Sequence, residues 1–179
     1  MKKIILTMAA VFALTFANAQ DKKESEGSSQ TSEGKWLIEA NTGSIATGST
    51  AFSFASYTGG SSYNLGLDGG YFVMENLAIK AGFGFGGSKV DGSDNVTTTT
   101  YKVGAQYYIM GKIPVGIDYT GLSQSGSDSK ASWIGIEGGY AWFLGPNVAI
   151  TPKVRYNSST DKTKAESVFQ GLIGFALYF

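Results

Sequence analysis

From Phe169 to its last residue the chain alternates, with Phe169, Gly171, Ile173, Phe175, Leu177 and Phe179 all on one side of an extended segment. A period of two over that length reads as a β-strand. Chain termini are usually polar and frayed. A final strand with an apolar face that stops on an aromatic residue therefore limits the choice of folds sharply.

The same period recurs upstream. Eight alternating segments span residues 35–43, 62–74, 77–87, 97–110, 112–121, 131–144, 147–157 and 165–179. Their connections alternate in length. Short turns fall at Met74-Glu75-Asn76, around Gly111 and at Gly145-Pro146-Asn147, and long polar loops at 44–61, 88–96, 122–130 and 158–164. An even number of strands joined alternately by short turns and long loops is the pattern of a membrane β-barrel, with its short turns inside the envelope. The expected fold is all-β, an eight-stranded antiparallel up-and-down transmembrane β-barrel over 35–179, with both ends of the chain on the periplasmic side.

The N-terminus fits this destination. Lys2 and Lys3 precede a short apolar run from Ile4 to Phe16, and Ala17-Asn18-Ala19 has the small-x-small form of a cleavage site, so 1–19 reads as a secretory signal peptide. The run is too short for a good spanning helix, and no other segment nears the roughly 20 apolar residues one needs. A chain of this kind crosses a membrane only as a closed barrel, because lipid offers backbone groups no partners. Residues 20–34 (QDKKESEGSSQTSEG) are polar and lack aromatic residues, and are expected to form a disordered periplasmic leader. Removing Lys2 and Lys3 leaves 12 basic and 14 acidic residues, which gives no basic field for nucleic acid. Mean hydropathy is −0.02, as when only alternate residues face lipid. Glycine, at 25 of 179 residues, is about twice its usual share of roughly 7%, which suits curved strands with crowded interior positions.

Alternation defines two faces without saying which is inside. The apolar face carries Trp36, Ile38, Leu65, Leu67, Ile79, Phe83, Val103, Ile117, Ile136, Val148 and Val154, among others. An eight-stranded barrel has an interior only wide enough for side chains to fill, and so many bulky groups would crowd it. Threading the strands up and down puts Trp36, Tyr71, Tyr107, Tyr140, Trp142 and Phe179 at the periplasmic end. It puts Tyr63, Phe85, Tyr101, Tyr119, Tyr156 and Phe169 at the outer end. These form two aromatic girdles. The opposite face is rich in glycine and carries Glu39, Asp68, Asp118 and Glu137 against Lys80, Lys102, Lys153 and Arg155. Four charges of each sign suit an enclosed lumen, where each ion must be paired. A charge network plugging the barrel is the expectation.

These residues resemble the small Gram-negative outer-membrane β-barrels of the OmpA/OmpX type, a porin-like family. Gly70 to Ile79 is similar to that family's first periplasmic hairpin, Tyr140 to Ile150 to its third, and Leu177-Tyr178-Phe179 to its terminal insertion signal. The resemblance implies an integral protein of the cell outer membrane, in contact with outer-membrane lipid. It also implies recognition by the barrel-assembly machinery through Phe175, Leu177 and Phe179. It does not imply one shared activity.

The chain has no His and no Cys, so the neutral-pH base or thiol that activates a nucleophile is missing. No enzyme activity, cofactor or metal is expected. Gly82-Phe83-Gly84-Phe85-Gly86-Gly87 matches G-x-G-x-x-G, but a polar loop follows where a dinucleotide site needs a helix. Loop 44–61 has no charge and carries Phe52, Phe54 and Tyr57. It reads as an extension of the first hairpin or as a surface for an extracellular protein or glycan. The expected role is structural or surface-interactive, through four loops. One alternative is a narrow passive porin. The other is a soluble exported ligand-binding barrel with the apolar face inside.

Overall fold

The computed structural model describes residues 30–92, 95–125 and 130–179. The expected signal peptide, and the leader up to residue 29, lie outside the described residues. Ten strands follow in chain order: β1 (Trp36–Asn41), β2 (Ser53–Tyr57), β3 (Gly60–Met74), β4 (Leu77–Val90), β5 (Val96–Ile109), β6 (Ile113–Gln124), β7 (Lys130–Gly139), β8 (Trp142–Gly145), β9 (Val148–Ser159) and β10 (Val168–Tyr178). Every pairing between named strands is antiparallel. The order β1-β10-β9-β7-β6-β5-β4-β3 returns to β1 through Trp36↔Tyr71 and Glu39↔Asp68. The wall is a closed ring of eight positions, because β8 continues β7 and β2 continues β1.

The last strand shows why the chain can end on an apolar residue. Trp36 N–H donates to Phe179 O (2.7 Å) and Phe179 N–H to Trp36 O (3.0 Å). The terminal residue is thereby a paired member of the wall. Phe175 and Phe179 point outward and Leu177 is half-buried.

Alternation sorts the two faces as the sequence requires. All twelve girdle aromatics are exposed, as are Leu65, Leu67, Ile79, Phe83, Val103, Ile117, Ile136 and Val154. The arrangement with the apolar face inward is not the one the chain builds. On β3 the exposed set runs from Tyr63 to Val73. With a rise of about 3.3 Å per residue and a tilt near 40°, that is roughly 25 Å of height, the apolar band of an outer-membrane barrel. Girdle rings meet across strands: Trp36 and Tyr71 have centroids 4.9 Å apart, and Tyr101 and Tyr119 6.3 Å apart. Val148, expected on the outward face, is instead covered, where the β8–β9 register shifts between Phe143 and Gly145.

Three local expectations need correction. The single segment expected over 131–144 is interrupted at Tyr140 and Ala141. The register with β9 is the same on both sides (Gly139↔Lys153, Trp142↔Ile150), which puts Tyr140 opposite Pro152. Tyr140 N–H reaches Pro152 O at 3.1 Å, but proline has no N–H to return, so the ladder skips. The end of the leader, Gln30–Gly34, is not free. Thr31 is buried, its O accepts from Asn76 N–H (2.8 Å), and Gly34 N–H donates to Phe72 O (2.9 Å). The third correction concerns the first long loop.

That loop does not simply rise above the wall. After Asn41 the chain turns into the barrel, makes a short 3-10 turn at Ile45–Thr47, and returns at Phe52, whose N–H donates to Asn41 O (2.7 Å). Ile45, Gly48, Ser49, Thr50 and Ala51 are buried. Gly48 is left-handed (φ 74°), and a Cβ there would lie 2.7 Å from the Trp133 ring. At Gly66 a Cβ would lie 2.7 Å from Ala51 N, so only glycine leaves room for the inserted segment. Ser53 to Tyr57 then pair with β3 as the expected hairpin extension.

Candidate functional site

Among the described residues, buried charge is concentrated in the interior. The interior is filled in three layers. At the end of the barrel that carries the short turns, Leu37, Phe72, Ala78, Tyr108, Ala141, Ala149, Ala176 and Tyr178 form a buried apolar cluster, joined by Phe143. Phe72 packs on Tyr108 (centroids 5.6 Å apart) and Phe143 on Tyr178 (5.2 Å). The two phenols are not stranded: their oxygens are 3.2 Å apart, and Gln106 Nε2 donates to Tyr108 OH (2.8 Å).

The middle layer holds all eight charged residues picked out in the sequence. None of them exposes more than about a tenth of its side chain. Lys80 Nζ donates to Glu39 Oε2 (2.6 Å) and to Gln106 Oε1 (2.8 Å), and lies 3.8 Å from Asp68 and 3.7 Å from Glu137. Lys153 bonds Glu39 and lies 3.5 Å from Glu137. Lys102 bonds Asp68. Arg155 clamps Asp118 through both terminal nitrogens (2.6 Å each) and reaches Glu137 Oε2 at 2.9 Å. The charges come from seven wall strands, each at an inward position of its strand. Each carboxylate has at least one cation and each cation at least one carboxylate. Such pairing offsets the several kcal/mol that desolvating each ion costs. A cavity of about 10 Å³ among Lys80, Lys102, Gln106, Asp118 and Glu137 holds no more than one water.

The outer layer is the inserted segment. Its carbonyls are the acceptors: Thr47 O takes bonds from Asn157 Nδ2 (2.6 Å) and Gln170 Nε2 (3.1 Å), and Gly48 O from Asn157 Nδ2 (3.0 Å) and Arg155 Nη2 (3.3 Å). Thr50 Oγ1 donates to Asp68, and Thr47 Oγ1 to Gln170 Oε1 (3.0 Å). Trp133 caps the segment and donates from Nε1 to Glu166 O (3.0 Å) in the last long loop. Arg155 and Asp68 thus tie the outer layer to the ionic one.

Sequence reasoning missed Gln106, Asn157, Gln170 and Trp133. A usable signal was present, since each shares the inward parity of its strand's charges or glycines. It also missed the inserted residues 43–51, for which alternation offers no signal. Among the described residues no cluster of His, Cys, Asp or Glu is arranged to hold a metal ion.

No protein-family model matches the chain, and no curated protein matches it. Solved structures do. The chain is similar to the Yersinia pestis outer membrane protein Ail, determined in a phospholipid bilayer nanodisc. The identity is 12%, covering 82% of this chain and 100% of Ail, with a TM-score of 0.50. It is also similar to the N-terminal β-barrel domain of Pseudomonas aeruginosa OprF, at 14% identity over 82% of this chain and 98% of that one, with a TM-score of 0.42. At these identities the likeness is one of architecture. With its closed wall, outward apolar band and inward charges, the chain has the fold of the small eight-stranded outer-membrane β-barrels.

Proposed function

We propose that the chain is an integral protein of the Gram-negative outer membrane with a structural or surface-interactive role and a lumen closed to solutes. The observation that carries this reading is the pairing of an outward apolar band with an interior filled in three layers. The band suits outer-membrane lipid as its solvent. The filled interior leaves the outer loops as the chemistry a partner meets. In this reading an N-terminal signal peptide exports the chain, and the barrel-assembly machinery recognises Phe175, Leu177 and Phe179. An extracellular protein or glycan is met through the loops. The reading includes no enzymatic activity: among the described residues every buried carboxylate is tied to a cation, and the chain has no His or Cys to serve as a base or nucleophile.

Heat-modifiable mobility tests it. In purified outer membranes the unboiled protein should run at a different apparent mass from the boiled one. Recovery of the protein in a soluble fraction with no shift would overturn the reading.

A further inference from the structure

By its register β2 occupies the wall position β1 would have reached had it not turned inward. Glu39 pairs with Asp68, so a continuous strand would set residue 43 opposite Asn64, and Ser53 is found there instead. The excursion is ten residues long, an even number, so inward and outward faces are preserved. On the other side β1 pairs with β10 up to Asn41↔Gly174, and then Thr42 N–H donates to Ile173 O (2.9 Å). Extended by the same count, Phe54 stands opposite Gly171 and Ser56 opposite Phe169. Among the described residues no backbone hydrogen bond joins β2 to β10.

Alternation identifies the groups this leaves unpaired. Phe72 bonds Lys35 and Gly34 through its N–H and C=O, so the even-numbered residues of β3 face β1 and β2. Their partners Ser53, Ala55 and Tyr57 turn their backbone groups toward β3. Phe54 and Ser56 turn theirs away. Ile173 faces β1 through both N–H and C=O, so Gly171 and Phe169 face the same seam. Phe54 is 61% and Phe169 69% exposed, and nothing lies within 4 Å of where a Gly171 Cβ would be. Free edges are normally guarded by charge, proline or a covering element. Here the 28 residues from Ala40 to Leu67 contain no charge and no proline, nor do residues 167–179.

We propose that the seam formed by β2 and the outer half of β10 binds an extended, uncharged peptide segment of another protein, by strand addition to the free edge of β2. The proposal rests on the surface-interactive reading and names its partner chemistry. Main-chain groups of Phe54 and Ser56 supply the hydrogen bonds. The exposed rings of Phe52, Phe54 and Phe169 select apolar or aromatic residues at alternate positions. A charged segment gains nothing from this edge.

The test uses the full-length protein folded in nanodiscs and a blocked, fluorescent eight-residue peptide in which Thr alternates with Val and Phe. Two controls are the same peptide N-methylated at alternate residues and a version with Lys at two of its Thr positions. The protein variant is Ser56→Pro, which removes a donor from the free edge and none from the β3 ladder. Heat-modifiable mobility checks that it folds. Polarisation should show binding by the wild type. It should weaken about tenfold for the N-methylated peptide and for S56P, the effect of a main-chain hydrogen bond lost at an edge. Absence of wild-type binding, equal binding of the N-methylated peptide, or no effect of S56P would overturn the proposal. So would S56P-sensitive pairing of two copies without peptide. Labelling of a Thr58→Cys variant on intact cells with an impermeant maleimide separates the two levels. If the tip is labelled and the peptide fails, strand addition falls alone. If the tip is not labelled, the surface reading falls with it.

Discussion

Arg155→Met removes the hub between the ionic layer and the inserted segment, and its cost can be reasoned contact by contact. The side chain is almost wholly buried. Glu137 would still have Lys153 at 3.5 Å and Lys80 at 3.7 Å. Asp118 would keep no cation within 4 Å among the described residues, only the hydroxyl of Thr120 at 3.0 Å. The cost is therefore mainly that of one stranded buried carboxylate, about 3–5 kcal/mol. Asp118→Asn alone leaves Arg155 bonded to Glu137 and should cost about 2 kcal/mol. In the Arg155→Met background it removes the stranded charge, so the double variant should be more stable than Arg155→Met by about 1–3 kcal/mol. Reversible urea unfolding in lipid vesicles, followed by tryptophan fluorescence, gives all three values. An Arg155→Met cost below about 1 kcal/mol, or no recovery on adding Asp118→Asn, would show that Arg155 and Asp118 are solvated and would refute the reasoning.

Other predictions follow from single contacts. Gly66→Val places side-chain atoms on the backbone of Ala51. It should push the inserted segment out of the barrel at an overpacking cost of about 1–3 kcal/mol, and acrylamide should then quench Trp133 in a background where Trp36 and Trp142 are Phe. Tyr108→Phe leaves Gln106 Nε2 without its acceptor and should cost about 1–3 kcal/mol in the same unfolding assay, whereas a cost near zero would mean water reaches that layer. In the outer loop, the Thr163 hydroxyl and N–H, with Lys164 nearby, hold the Asp161 carboxyl below its ordinary value. A depressed carboxyl stabilises its turn above the unfolded value and loses that contribution as pH falls through the folded one. Thr163→Val should raise the Asp161 midpoint toward that of a free carboxylate in a carbon-13 NMR titration.

Much of this architecture is legible because a barrel wall imposes a rigid two-residue code. Once Phe169 to Phe179 sets the outward parity of the last strand, the same period assigns Lys153 and Arg155 inward on β9 and Glu137 inward on β7. Strand ends are less legible: β3 and β4 run on to Gly60 and Val90, since glycine and serine extend a hairpin without an apolar signal. The interruption at Tyr140 depends on Pro152, distant in sequence, and appears only once the register is known. The inserted segment is the least legible feature. Its Gly, Ser, Thr and Ala residues carry no periodicity, and what draws them inward is the set of donors waiting on Asn157, Gln170 and Arg155. The inward aromatics Phe72, Tyr108 and Tyr178 share parity with the lumen charges, yet their bulk invites an outward assignment.

Single-channel recording in planar bilayers most directly tests the claim of a membrane barrel with a filled lumen. The sample should be protein whose insertion is first established by heat-modifiable mobility. The wild type should insert without stepwise conductance, and a variant with residues 44–51 replaced by a short glycine linker should leak only through what the ionic and aromatic layers leave open. A steady channel of nanosiemens size in the wild type would contradict the account.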